Sequence, residues 1–303
     1  MLDKWGSDSD LMLDMLYRLD PPKKIVYIWL DTGLEYEATK RHLKEIEEKY
    51  GISVIPLKAK KAIPAVVKEY GVPFISKQVS EFTSRLQRHN FQWEDESYEV
   101  LSARYPKCLS ALRWWCNVHE GNSKFNISIV NPWLKEFIIQ NPPDFKISNK
   151  CCHYAKKTVA HDFMKNSDYD LECVGVRKLE GGARSSAYKS CFTPHSDSKI
   201  AQYRPLYWFS NQSKQIYKDA CNITYSDCYE IWGMKRTGCA ACPFGREFEF
   251  ELECIQKYEP KLYKAVNNIF GKSYEYTRKY RQFQKEMSNK KKKSAINEKE
   301  LNK

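Results

Sequence analysis

The sequence predicts an α/β fold: an open, mostly parallel sheet with flanking helices, plus a cysteine-rich, helical C-terminal part. Three observations carry this expectation. Strand and helix signals alternate with short links through the first third of the chain. Two cysteine pairs, Cys151-Cys152 and Cys239-Ala-Ala-Cys242, frame the later part, and an amphipathic pattern runs from Glu247 to about Met287.

Taken in order, Leu11 to Leu16 has the apolar spacing of a helix face. Ile25-Val26-Tyr27-Ile28-Trp29-Leu30 is a short apolar, β-prone run and reads as a buried parallel strand. Asp31-Thr32-Gly33 closes it. Glu35 to Tyr50 reads as a helix charged on one face and stopped by Gly51. Ile52 to Leu57 is the next strand, and Ile63 to Tyr70 the next helix. Strand, helix, strand, helix is the pattern of an open α/β sheet, whose ligands sit at the carboxyl ends of the strands. The middle is aromatic-rich (Arg113-Trp114-Trp115-Cys116) and broken by Asn141-Pro142-Pro143. Leu171 to Val176 gives one further strand. The expected organisation is 1–145 as an α/β part, 146–287 as a cysteine-bearing part completing the same fold, and 288–303 as a basic disordered tail.

Composition narrows the functional classes. The 303 residues are 42% hydrophobic and 14% aromatic, ample for a core. No apolar run approaches the length of a bilayer-spanning helix, and Met1 to Asp10 lacks the pattern of a signal peptide. Eleven cysteines in such a chain point to a reducing compartment, so the expected location is cytoplasmic, with thiols available to metal. The net charge is +12, of which the lysine-rich tail supplies +4. The remaining charge serves a phosphate-bearing small molecule as readily as a nucleic acid, and both stand as candidate partners.

A Cys-x-x-Cys flanked by Gly238 and Pro243 suits two thiolates on one metal centre. The stretch between the pairs is too long for a small zinc knuckle, so it would fold as a module that returns one pair to the other. An iron–sulfur cluster and zinc are both open on this evidence, and so are ordinary buried thiols. Asp31-Thr32-Gly33 has a bland reading as well: a turn with a capping Asp and a Gly at positive φ.

The order Asp-Thr-Gly after a strand, Cys-Cys, Gly-Val-Arg with a following Arg, then Cys-x-x-Cys resembles the phosphoadenosine phosphosulfate (PAPS) reductase family. That family belongs to the PP-loop ATP pyrophosphatase group, with its adenine nucleotide alpha hydrolase-like fold. The resemblance covers roughly residues 4 to 280. The runs Lys235-Arg236-Thr237-Gly238-Cys239 and Cys242-Pro243-Phe244-Gly245 look like a reductase-like branch common in clostridial and phage genomes.

The resemblance implies a set of site residues. The phosphate-cradling Ser-Gly-Gly-x-Asp-Ser loop aligns with Lys4-Trp5-Gly6-Ser7-Asp8-Ser9, so Gly6, Ser7, Asp8 and Ser9 become nucleotide-binding candidates. Lys4 and Trp5 replace its first two residues, and the apolar strand that feeds the loop is not among Met1-Leu2-Asp3. The expectation is thus a degenerate PP-loop, or coding sequence upstream of Met1. Asp31, Thr32 and Gly33 match a second nucleotide motif. Arg177 and Arg184 match the motif receiving the sulfate or phosphate end of the substrate, with Gly181-Gly182 between them, and Lys235 and Arg236 add positive charge beside it. Cys151, Cys152, Cys239 and Cys242 are the implied ligands of a 4Fe–4S cluster, with zinc as the alternative. ATP or a related adenine nucleotide, Mg²⁺ and a sulfur donor protein complete the expected partners.

The function so implied is activation of a substrate by adenylation for sulfur transfer. A catalytically inactive nucleotide- or nucleic-acid-binding module is the second expectation. A sulfonucleotide reductase is the third, but no cysteine follows Cys254, and that reaction needs a C-terminal nucleophile. No catalytic residue is assigned.

Overall fold

The computed structural model describes residues 5–20, 24–121, 123–180, 187–196 and 200–301. The chain forms two compact units that interleave in sequence. The first combines Met1–Ile63, Cys152–Cys242 and Glu247–Val266; the second combines Pro64–Cys151, Pro243–Arg246 and Asn267–Lys303. The linear boundary expected near residue 145 thus falls close to one crossing point, but the chain crosses again at several later ones.

The first unit opens with helix α1 (Ser7–Leu19), strand β1 (Tyr27–Asp31), helix α2 (Glu37–Tyr50) and strand β2 (Val54–Lys58). Leu11, Met12, Leu13 and Leu16 of α1 share one buried cluster with Tyr27 and Trp29 of β1 and Leu43 and Ile46 of α2. Strands β1 and β2 are parallel, in register from Tyr27 opposite Val54 to Asp31 opposite Lys58. Pro56 has no N–H to give a further strand, which suits β2 to an edge. Helix α2 ends on Gly51 at φ 56°, where the Ile52 N–H reaches back to the Glu47 carbonyl. Glycine adopts that left-handed conformation without steric cost.

A second sheet follows, built from β3 (Leu171–Cys173), β4 (Phe192–Thr193) and β5 (Ala201–Tyr203). Strand β5 is central, parallel to β3 and antiparallel to β4. The α/β class with parallel pairing is therefore observed, but the described strands form two pieces instead of one sheet. Between the pieces, Lys24–Ile28 and Asp170–Cys173 line an apolar cavity of about 300 Å³, covered by Met12, Leu13 and Leu16 of α1.

The second unit is helical, including Lys77–Arg88, Leu109–Trp115 and Leu134–Gln140. Its core is aromatic: Phe74, Trp114, Trp115, Phe137, Tyr276 and Tyr280 are buried together. Gly71, at φ +110°, lets the backbone pass so close to Lys146 that an added Cβ would lie 2.2 Å from the Lys146 carbonyl oxygen. The Val72 N–H bonds that same carbonyl at 2.9 Å.

Helices Phe248–Tyr258 and Pro260–Leu301 form the expected helical C-terminal part. The last helix runs through Lys290–Lys293 to Leu301, where the sequence reading places a disordered tail. Lys, Glu and Ala are strong helix formers, and their propensity continues the helix once packing upstream has nucleated it. Among the described residues no helix is long and apolar enough to cross a membrane.

Candidate functional site

The site is built on the first turn of α1. Gly6 is its N-cap and brings no side-chain cap; its carbonyl takes the Ser9 and Asp10 N–H groups at 2.7 and 3.2 Å, and the positive end of the helix dipole lies at this turn. A Cβ on Gly6 would lie 2.6 Å from the Tyr229 hydroxyl and 3.1 Å from Thr237 Oγ1. Glycine is needed for this approach. Thr237 fixes the neighbouring loop: its Oγ1 donates to the Trp5 carbonyl at 2.9 Å, and its N–H donates to the Tyr229 hydroxyl at 3.1 Å. Lys235 and Arg236, just before it in sequence, are thereby held at the start of α1.

Two further cations converge on Asp8. Arg177 Nε donates to Asp8 Oδ2 at 3.1 Å, and its Nη1 donates to Asn211 Oδ1 at 2.9 Å. The Lys214 ammonium lies 2.7 Å from Asp8 Oδ1, and it also donates to the Ser7 hydroxyl. Both cationic side chains are mostly buried, as is Asp8. Gly6–Ser9, Arg177, Lys214, Lys235, Arg236 and Thr237 all line one cavity of about 320 Å³, together with Glu172, Val174, Tyr188, Gln202 and Tyr229. That size lies within the range of small-molecule sites.

Beneath the cavity floor, the Trp5 indole N–H donates to Asp10 Oδ1 at 2.7 Å, and His42 Nε2 lies 3.1 Å from the same oxygen. Burial works against a charge on His42, but Asp10 and Glu45 outweigh it and raise its pKa above the usual value. Trp5 is itself buried, so its ring supports the turn from below.

The structure thus brings together Gly6, Ser7, Asp8, Ser9, Arg177, Lys235 and Arg236. Arg184, with Gly181, Gly182, Lys4 and Met1 to Asp3, lies outside the described residues. Asp31, Thr32 and Gly33 do not line this cavity. They form the turn closing β1: Asp31 Oδ1 accepts from the Gly33 N–H at 2.9 Å, and the Thr32 hydroxyl donates to Glu35 Oε1 at 2.6 Å. Gly33 takes φ +79°. Burial raises the pKa of the Glu35 carboxyl despite the nearby Lys156 charge and the Thr32 hydroxyl.

Cys239 and Cys242 sit in a tight loop in which the Cys242 N–H reaches the Cys239 carbonyl at 3.3 Å. The loop is docked on the segment after Gly33: the Ala240 N–H donates to the Leu34 carbonyl at 2.7 Å, and the Ala241 N–H to the Tyr36 hydroxyl at 3.2 Å. Cys151 and Cys152 lie in the helical turn Lys150–Cys152, which passes into a π-helical turn at His153–Lys157. Cys152, Cys239 and Cys242 belong to the first unit and Cys151 to the second. Among the described residues no three His, Cys, Asp or Glu side chains are grouped as a metal site.

Sequence reasoning missed Lys214, Glu172, Gln202, Tyr188 and Tyr229. Thr237 lay inside a run already singled out, so its signal was present. Lys214 is one lysine of the helix Asn211–Ala220 and carries no local mark of its role.

Residues 2–93 match the family model described as the phosphoadenosine phosphosulfate reductase domain. An uncharacterized protein of Methanocaldococcus jannaschii is 24% identical over 258 residues, which are 85% of this chain and 38% of that protein. The chain thus spans well under half the length of this curated relative. Among solved structures, a phosphoadenylyl-sulfate reductase from Candida auris, in a phosphate complex, aligns with TM-score 0.39 and 15% identity over 78% of this chain and 80% of that one.

Proposed function

Because residues 2–93 match the phosphoadenosine phosphosulfate reductase domain model, we propose that the cavity at the start of α1 binds the phosphates of an adenine nucleotide. In this reading the chain activates a substrate by adenylation for sulfur transfer. The observation that carries it is the convergence of the uncapped first turn of α1 with Arg177, Lys214, Lys235 and Arg236 around one cavity. Backbone N–H groups at a helix N-terminus, a guanidinium fork and ammonium groups are the donors that recognise phosphate oxygens. Asp8 holds Arg177 and Lys214 in place before the ligand arrives. In adenylation a substrate oxygen attacks the α-phosphorus, the bond to the bridging oxygen breaks, and pyrophosphate leaves. The cations lower the cost of the charge that builds on that leaving group.

The same proposal includes a sulfur donor protein, Mg²⁺ accompanying the nucleotide, and a 4Fe–4S cluster on Cys151, Cys152, Cys239 and Cys242. Anaerobic purification with iron, sulfide and zinc analysis tests the cluster. A second reading, nucleotide binding without turnover, is favoured by Trp5. Its indole is buried on Asp10 in the stretch where the family's loop offers small residues to the phosphates.

Equilibrium binding of ATP and ATP-dependent pyrophosphate release separate the two. Lys214→Ala and Arg177→Ala should each weaken ATP binding by about tenfold or more, the usual loss for one charge-assisted hydrogen bond. No ATP binding, or unchanged binding in both variants, overturns the nucleotide assignment. Binding without pyrophosphate release in the presence of Mg²⁺ favours the second reading.

A further inference from the structure

The cavity that gathers cations also contains a buried carboxylate. Glu172 of β3 is 7% exposed and lines the same cavity. A carboxylate there opposes a purely anionic ligand, and burying it costs solvation that only good partners offset. Its one hydrogen bond among the described residues comes from Gln202 Nε2, at 2.6 Å to Oε2. The two residues face each other directly across the β3–β5 pairing.

Gln202 is in turn fixed by Arg204. The guanidinium is 0% exposed, donates to Gln202 Oε1 at 2.8 Å and to Thr193 Oγ1 at 3.0 Å, and stacks 3.8 Å from the centre of the Tyr188 ring. A guanidinium has only donors, so it takes the carbonyl end of the Gln202 amide and turns the NH₂ end to Glu172. Glu172 therefore stays an acceptor. Gln202 stands between it and Arg204, so among the described residues no direct ion pair consumes its remaining lone pairs.

We propose that Glu172 reads the uncharged, nucleoside half of the ligand by accepting a hydrogen bond from a hydroxyl or amino group there, with Gln202 and Arg204 as its positioning residues. This rests on the nucleotide reading given above. The site then selects a molecule that is anionic at one end and donor-bearing at the other, and rejects inorganic polyphosphate. Tyr188, whose ring packs on the Arg204 guanidinium, also lines the cavity and brings an aromatic residue to the same half of the ligand.

The test is calorimetric titration of wild type, Glu172→Gln and Glu172→Ala with ATP and with inorganic tripolyphosphate. Gln at 172 keeps an acceptor for Gln202 but turns a donor toward the cavity. Both variants should lose tenfold or more in ATP affinity, while tripolyphosphate binds them as well as or better than wild type. ATP binding unchanged or tightened in Glu172→Gln overturns the inference and leaves the nucleotide site standing. Wild type binding neither ligand overturns both. 2′-Deoxy-ATP, 3′-deoxy-ATP and the triphosphate of purine riboside, which lacks the amino group, identify the donor. The analogue missing it should bind wild type and Glu172→Gln alike; sensitivity retained by all three analogues counts against a hydroxyl or amino donor.

Discussion

Replacing Asp14 by Ala should destabilise the first unit without touching the cavity. Asp14 is 2% exposed in the middle of α1 and accepts three partners: Tyr50 Oη at 2.9 Å, Tyr217 Oη at 2.8 Å and Arg18 Nε at 2.7 Å. Removing the carboxylate strands the buried Tyr50 hydroxyl, which costs about 1–3 kcal/mol, and the half-buried Tyr217 hydroxyl adds about 1 kcal/mol. Arg18 is largely in solvent and is left out of this sum. A loss of about 2–4 kcal/mol corresponds to a thermal midpoint lower by about 10 °C for a domain of this size. The pH dependence gives an independent check. Burial alone would raise the Asp14 pKa, but the Arg18 guanidinium and the Tyr217 and Tyr50 hydroxyls outweigh it and hold it below the usual value. A depressed carboxyl pKa contributes stability that is complete above the unfolded value, about 4, and is lost as pH falls through the folded value. Urea melts of wild type and Asp14→Asn followed from pH 7 downward should therefore differ by a constant amount to about pH 4 and converge below it. Equal midpoints at pH 7, or a difference that persists unchanged into acid, would refute this account of α1.

Two further predictions test the packing. Gly71→Ala should cost about 3 kcal/mol or more and reduce the yield of folded protein, since the new Cβ meets the Lys146 carbonyl at 2.2 Å with φ +110°; a soluble variant melting with wild type would contradict the backbone crossing. Cys228 is fully buried and burial pushes its thiol up to about 12. Alkylation of native protein at pH 8, read by peptide mass spectrometry, should leave Cys228 unmodified until denaturant is added, and rapid labelling without denaturant would count against its placement.

Much of the architecture was written locally. The helix Ile63–Tyr70 carries the boundaries its apolar spacing implies, and Gly51 stops α2 where a glycine after the last periodic residue should. Other boundaries depend on distant partners. Strand β1 begins at Tyr27 and not Ile25 because the Ile25 N–H is taken by the Asp20 carboxylate at 2.6 Å. Helix α2 begins at Glu37 because the Glu259 carboxylate accepts the Glu37 and Ala38 amides, each at 3.0 Å. No local pattern announces a cap supplied from the far end of the chain. The site divides in the same way. Gly6, Asp8 and Arg177 were legible because a motif order marked them, whereas Lys214 acquires its role only by reaching Asp8. Arg204 could not be anticipated, because a buried arginine just after a short strand looks like any surface arginine until its neighbours are known.

The first turn of α1 and the core of the first unit are parts of one helix: Ser7 and Ser9 precede Leu11, Met12 and Leu13 without a break. A ligand that grips the turn therefore recognises only chains in which that helix is already packed. Occupancy and folding become linked, by about 2.7 kcal/mol at a ligand concentration one hundred times its dissociation constant. Turnover of the protein in a cell would follow its ligand supply, with starvation for that ligand exposing α1 to proteases before any change in synthesis.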